Sequence, residues 1–295
     1  MLISALFNIH KLRYYPSAIK IMKYWKNTAT IDALVPDLLN TVDATEAEIA
    51  VIGSKPIDLS AMPELRGIFK CGVGTDNVPF EEAKARGVEI CMPSEQTKRY
   101  IFEETANFAV YLTFRMLFNE IGKVDGWVKQ SRGFLGNKKV LVIGQGNIGA
   151  HVTRKLAPSV DVLTFDVLQN PIGELQSLIA QADVITLHVP LIGATKGFID
   201  AQKLSWMKDG AALVNTARGP IVDEDALYTE IESGRLRAAF DVFWKEPYEG
   251  RLKQFHPDCF LMSPHISSNC ENFLGGLADD FRDFVAKKMA ESDEV

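Results

Sequence analysis

VLVIGQGNIG (140–149) places four apolar β-formers before Gly144 and helix-compatible residues after Gly149. This strand–glycine–helix order turns a weak GxGxxG pattern into a dinucleotide fingerprint. Gly144 permits a tight turn, Gly146 lets backbone N–H groups approach a pyrophosphate, and Gly149 permits close helix–strand packing. The N-terminus of the helix that follows offers unpaired N–H donors and a partial positive charge to the phosphates. Asp166 closes the next strand-like run, VDVLTFD (160–166), seventeen positions beyond Gly149. A carboxylate there accepts hydrogen bonds from a ribose diol and repels a 2′-phosphate, which favours NAD over NADP.

Outward from the fingerprint, strands and helices alternate. Lys139 opens a series of strand-like runs continued by VDVLTFD, ADVITLHVP (182–190), GAALVNTA (210–217), LRAAFDVF (236–243) and CFLMS (259–263). Before it, ISALF (3–7), IAVIG (49–53), GIFKCGV (67–73) and VEICM (88–92) form a first series. The run VPFEEAKARG (78–87) has helical spacing and a glycine stop. The pattern predicts an α/β chain with parallel sheets. Between the series, residues 100–121 predict one long apolar helix that links two domains, and its Phe, Tyr and Leu content points to a subunit interface. The tail 272–292 is an amphipathic helix with no strand after it, expected to pack back on the first domain.

Three chemically distinct side chains follow the fingerprint, each after a strand-like run. Arg218, in NTARGPIVD (215–223), sits where open α/β sheets bind ligands, and a guanidinium holds a carboxylate by two parallel bonds. The bland alternative for it is a surface charge at a loop start. His265, in SPHIS (263–267), supplies a group of the type that transfers protons near neutral pH, although a lone histidine is more often structural. Glu246, in DVFWKEP (241–247), would orient an imidazole and favour its charged form. His10, His151, His188 and His256 lack such company, and no His/Cys/Asp cluster has metal-ligand spacing, so no metal is expected.

Composition narrows the class further. The chain has 295 residues, 47% hydrophobic and 24% charged, with a net charge of −6. That length favours two domains, and the charge argues against nucleic acid as a partner despite the basic, aromatic stretch 11–26. Cys71, Cys91, Cys259 and Cys270 show no CxxC spacing and read as reduced thiols. The start MLISALFNIHK is too short for a signal peptide, and no run reaches the roughly 18 apolar residues of a spanning helix. No membrane association and a cytoplasmic location are the expectations.

In sum these segments resemble the D-isomer-specific 2-hydroxyacid dehydrogenase family. The likeness runs in order through GIFKCGVGTDNV (67–78), VLVIGQGNIG, LHVPLIGATKGFID (187–200), MKDGAALVNTARGPIVDEDAL (207–227), AAFDVFWKEP (238–247) and SPHIS. It implies an oxidoreductase that uses NAD to move a hydride at C2 of a small D-2-hydroxy or 2-keto acid, of the 3-phosphoglycerate or glycerate/hydroxypyruvate class. Arg218 would bind the carboxylate and polarise the carbonyl, Glu246 would partner the imidazole, and His265 would be the general acid/base. Gly53, Ser54, Val73 and Gly74 would face the substrate. Beyond the glycines, cofactor contacts would come from Asn147, Ile148, Asp166, Val189, Pro190, Thr195, Thr216, Ala217, Asp241 and Ser268, with Asp241 facing the nicotinamide carboxamide. The implied architecture is two Rossmann-like doubly wound domains. A discontinuous, flavodoxin-like substrate domain (1–96 and 268–295) carries an inserted NAD domain (97–267), on which a homodimer is built. Val73 and Glu246 depart from the phosphite- and formate-oxidising members, and the stretch after Asp166 is short. The rival reading is a non-enzymatic NAD(H)-sensing partner protein of the same fold. A third, an amino-acid or thioether dehydrogenase, would need a Lys/Asp pair that is not evident.

Overall fold

The computed structural model describes residues 22–118 and 122–293. The expected strand at 3–7, His10, most of the basic stretch 11–26 and the end of the linking-helix expectation at 119–121 lie outside the described residues. Two parallel sheets are present, as expected for two α/β domains. The first has strands β1 (Tyr24–Lys26), β2 (Ile49–Ile52), β3 (Gly67–Lys70) and β4 (Glu89–Cys91), in that spatial order. On the free side of β1, Tyr24 makes one parallel bridge to Thr41. Chain order therefore reverses at β1, as in a doubly wound sheet whose second strand has shrunk to one residue. The helix α1 (Phe80–Ala85) is shorter than the spacing predicted, because Pro79 lacks an N–H and stands as its N-cap.

The second sheet has six parallel strands in the order β10-β9-β8-β7-β5-β6, with β5 at Lys139–Ile143, β6 at Asp161–Phe165, β7 at Val184–Leu187, β8 at Ala212–Asn215, β9 at Arg237–Phe240 and β10 at Phe260–Met262. Both faces are covered, so β7 and β8 are buried at every position and read as continuous apolar runs rather than alternating ones. One face carries Leu141, Ile185, Leu213 and Phe240 against the helices between strands. The other carries Val140, Val142, Val184 and Val214 against the linking helix, α2 (Glu95–Leu117), and the helix after the fingerprint, α3 (Asn147–Leu156).

The linking helix α2 spans Glu95–Leu117, starting before the predicted residue 100 because Ser94 caps it, accepting the Thr97 N–H at 3.2 Å. Its Ala106, Ala109, Leu112 and Met116 are buried on the second sheet. The tail helix α4 (Glu271–Asp293) packs back on the first sheet: Phe281 meets Phe69 edge-on at 5.2 Å and Tyr24 at 5.7 Å. Among the described residues no helix is long and apolar enough to cross a membrane.

Phe281 is 2% exposed, so its rings hold the tail to the first lobe. Phe281→Ala should cost about 3–5 kcal/mol in urea unfolding. A loss under about 1 kcal/mol would mean that the tail does not complete this core.

Candidate active site

The carboxyl ends of both sheets face one cavity of about 520 Å³. In the first sheet the cavity lies between the ends of β1 and β2, where strand order reverses, and in the second it lies off the ends of β5, β8, β9 and β10. From the first lobe come Thr28–Thr30 after β1 and Gly53–Ser54 after β2; from the second come Ile148, Thr216 and Arg218. Val73, Gly74, Glu246, His265 and Ser268 line it as well. The three residues singled out for chemistry are thus brought together, with every substrate-facing residue expected.

Arg218 is presented by a turn that Asn215 holds from below. The Asn215 amide donates to the Arg218 carbonyl at 2.8 Å, and its oxygen accepts the Ala217 N–H at 3.0 Å. Asp76, from the opposite lobe, takes one edge of the guanidinium: Nε and Nη2 each lie 3.1 Å from Asp76 Oδ1. Nη1 donates to the Ala217 carbonyl at 2.8 Å. Of the five N–H donors, this leaves the parallel pair on the Nη1/Nη2 edge for a carboxylate. Gly74 is required beside it, since a Cβ there would lie 1.6 Å from Nη2.

His265 Nδ1 lies 2.9 Å from Glu246 Oε2. An ionised carboxylate only accepts, so Nδ1 carries the proton and Nε2 is left for other chemistry. Burial pushes the Glu246 carboxyl up, but the His265 hydrogen bond and charge, the Phe243 N–H at 3.1 Å and the Arg218 charge outweigh it and hold the pKa below the usual value. His265 has φ of 52°, a left-handed conformation that non-glycine residues rarely adopt. Asp241 explains its persistence. Fully buried, this carboxylate accepts from Ser263 Oγ at 2.6 Å, Ile266 N–H at 3.0 Å and Ser267 N–H at 2.9 Å. The observed partners of Asp241 are therefore those of the His265 loop.

At the fingerprint, Gly144 has φ of 93°, and a Cβ there would lie 2.5 Å from the His188 carbonyl. A Cβ on Gly149 would lie 1.8 Å from the Gly144 carbonyl, so only glycine lets the helix approach. Gly146 faces open space, as a residue passed by a pyrophosphate must. Asn147 and Ile148 begin α3 at the anion-binding end. Asp166 accepts the Gln145 N–H at 2.7 Å and the Leu168 N–H at 2.9 Å, which fixes its carboxylate beside the turn. Thr216 Oγ1 is buried without a hydrogen-bond partner, an orphan that a bound group would satisfy. These features fit a dinucleotide. Val189 packs on the second lobe's core and Pro190 accepts from the Thr195 hydroxyl at 2.6 Å, so Thr195 closes that loop, and none of the three lines the cavity.

Asp76, Asn77, Asn215 and the anchoring of the His265 loop by Asp241 escape the motif reading. Their only signal is a polar residue beside a glycine turn, in GTDN and VNTARG. His188 has Thr186 Oγ1 2.9 Å from Nε2, and burial pushes its imidazole down to about 3, so it stays neutral.

The model of the NAD-binding domain of D-isomer-specific 2-hydroxyacid dehydrogenases matches residues 118–267. A glycerate dehydrogenase of Methylorubrum extorquens is 33% identical over 267 residues, 83% of this chain and 83% of that protein. A hydroxypyruvate reductase of Thermotoga maritima is 32% identical over 225 residues, 72% and 73% of the two chains. The crystal structure of a D-lactate dehydrogenase from Aquifex aeolicus, complexed with NAD and lactic acid, superposes with a TM-score of 0.71 at 26% identity over 85% of both chains. With the fingerprint and its acid in register, this chain belongs to the NAD-dependent D-isomer-specific 2-hydroxyacid dehydrogenase family.

Proposed function

We propose that the protein interconverts a short 2-keto acid and its D-2-hydroxy acid in the cavity between the lobes, hydroxypyruvate and glycerate being the first pair to try. The observation that carries this reading is the convergence of Arg218 and the His265–Glu246 pair on that one cavity. Bound NAD(H) supplies or accepts the hydride. The free Nη1/Nη2 edge of Arg218 holds the substrate carboxylate, with backbone N–H groups of Val73 and Gly74 beside it and Gly53–Ser54 closing the far side. In reduction His265 donates a proton from Nε2 to the carbonyl oxygen; in oxidation it takes that proton back. Glu246 orients the ring and balances its charge. On the same reading residues 1–96 and 268–295 form the substrate domain and 97–267 the NAD domain.

The test is NADH oxidation with hydroxypyruvate, glyoxylate, pyruvate and phenylpyruvate. At least one should be turned over, and His265→Gln should lose about 10²–10⁴ in kcat while NADH still binds. Near-wild-type turnover in that variant would remove His265 from the chemistry.

Asp166 supports a preference for NADH, because a 2′-phosphate would meet its carboxylate at a cost of several kcal/mol. NADH should therefore exceed NADPH by about a hundredfold or more in kcat/KM. Equal rates would mean that Asp166 does not face the ribose.

The homodimer is supported by apolar surface on and just beyond α2. Tyr111, Val124, Trp127, Val128 and Phe134 are all exposed. Grouped large apolar side chains of this kind mark a protein contact. Light scattering should give twice the chain mass, and Trp127→Asp with Phe134→Asp should give monomer. A monomeric wild type would refute the dimer. Unpaired Cys71, Cys91, Cys259 and Cys270 support a reducing compartment such as the cytoplasm.

A further inference from the structure

Lys70 ends β3 on the wall of the cavity with only 2% of its surface exposed. Its ammonium donates to the Gly53 carbonyl and, at 2.9 Å, to Asn77 Oδ1. The Asn77 amide in turn donates to the Gly53 carbonyl at 2.9 Å and the Lys55 carbonyl at 2.6 Å, while Asn27 Oδ1 accepts the Gly53 N–H at 2.9 Å. Lys70 thus pins the 53–55 loop to the segment that carries Val73 and Gly74. Both of its observed acceptors are neutral. The other charges at the cavity come in pairs, Arg218 with Asp76 and His265 with Glu246. Among the described residues lining it, Lys70 and Arg218 are the only Lys or Arg.

We propose that Lys70 is a positioning residue that braces the two substrate loops and, with no ion-pair partner among the described residues, supplies a cavity charge that favours an anionic substrate. The proposal rests on the reading that this cavity binds a 2-keto acid. A buried cation lacking a counter-ion is costly, and an anion arriving beside it recovers part of that cost. Burial, then the Arg218 charge, lower the Lys70 pKa to about 8, while Asp76 and Cys71 act in the opposite direction. The Cys71 thiol, pushed up to about 12 by burial, is neutral over the working range. Glu246 and His265 face Lys70 from the other lobe's wall of the cavity. The positive charge that favours an anion is therefore complete below pH 8 and lost as pH rises through it.

The experiment measures oxamate binding to the NADH complex between pH 7 and 9.5. In the wild type Kd should rise on the order of tenfold across that range. Lys70→Met should weaken oxamate about tenfold at pH 7 and lack that step, whereas Lys70→Arg should keep the pH 7 affinity and also lack it, its guanidinium being unable to titrate. Comparing Lys70→Arg with the wild type subtracts whatever the imidazole contributes. NADH affinity reports that each variant is folded, and Lys70→Arg decides alone if Lys70→Met is not. A wild-type profile in either variant would overturn the proposal. Failure of the parent reading looks different: NADH would bind, yet no 2-keto acid would oxidise it and oxamate would not bind at all.

Discussion

The buried carboxylate of Asp241 is the constraint on which the second lobe's contribution to the site depends. It sits one residue past β9, whose last three residues, Ala238–Phe240, are buried in the sheet, so the strand delivers it to the carboxyl edge without freedom to move. Three donors from residues 263–267 converge on its two oxygens. Charge-assisted hydrogen bonds of this kind offset the desolvation of an anion, and they also hold His265 at a positive φ that costs of order 1–3 kcal/mol. The strained residue and the buried charge are two ends of one arrangement. Together they set the imidazole opposite Glu246.

The same fold shows how environment, rather than residue type, decides what a histidine does. His188 and His265 both follow strands at the same edge of the same sheet. His188 meets only the Thr186 hydroxyl, and burial removes any benefit of charge. His265 meets a carboxylate held below its usual pKa, which favours a proton on the shared edge. One is held neutral behind the glycine turn; the other shares its Nδ1 edge with a carboxylate.

Much of this was legible in the residues. The fingerprint glycines, Asp166 and the trio Arg218, Glu246 and His265 carry local signals, because glycine turns and strand ends leave short patterns. The contacts that missed recognition act across the chain: Asp76 reaches Arg218 over 142 positions, and Asp241, expected only as a cofactor contact, gathers donors from 22 to 26 positions away. No window holds both partners. The edge strand Tyr24–Lys26 escaped for a different reason. Its three residues, in KYWK, alternate too briefly to outweigh their charge, and its outer neighbour has been reduced to a single bridge at Thr41.

The contact between Arg218 and Asp76 links recognition to closure. Asp76 belongs to the lobe of Gly74, and Arg218 to the lobe of the fingerprint, so their ion pair forms only while the lobes face each other. Asp76 occupies the Nε/Nη2 edge and the Ala217 carbonyl takes an Nη1 donor, and Arg218 lines the cavity shared with His265. If the lobes opened, the guanidinium would lose its second anchor, and long side-chain torsions would scatter its donors. A carboxylate seated on the free edge would gain those donors only in the closed arrangement, and would therefore favour it by the difference in affinity between the two states. In this geometry the guanidinium proposed to hold the substrate is itself held by the opposite lobe, which would make binding and alignment a single event.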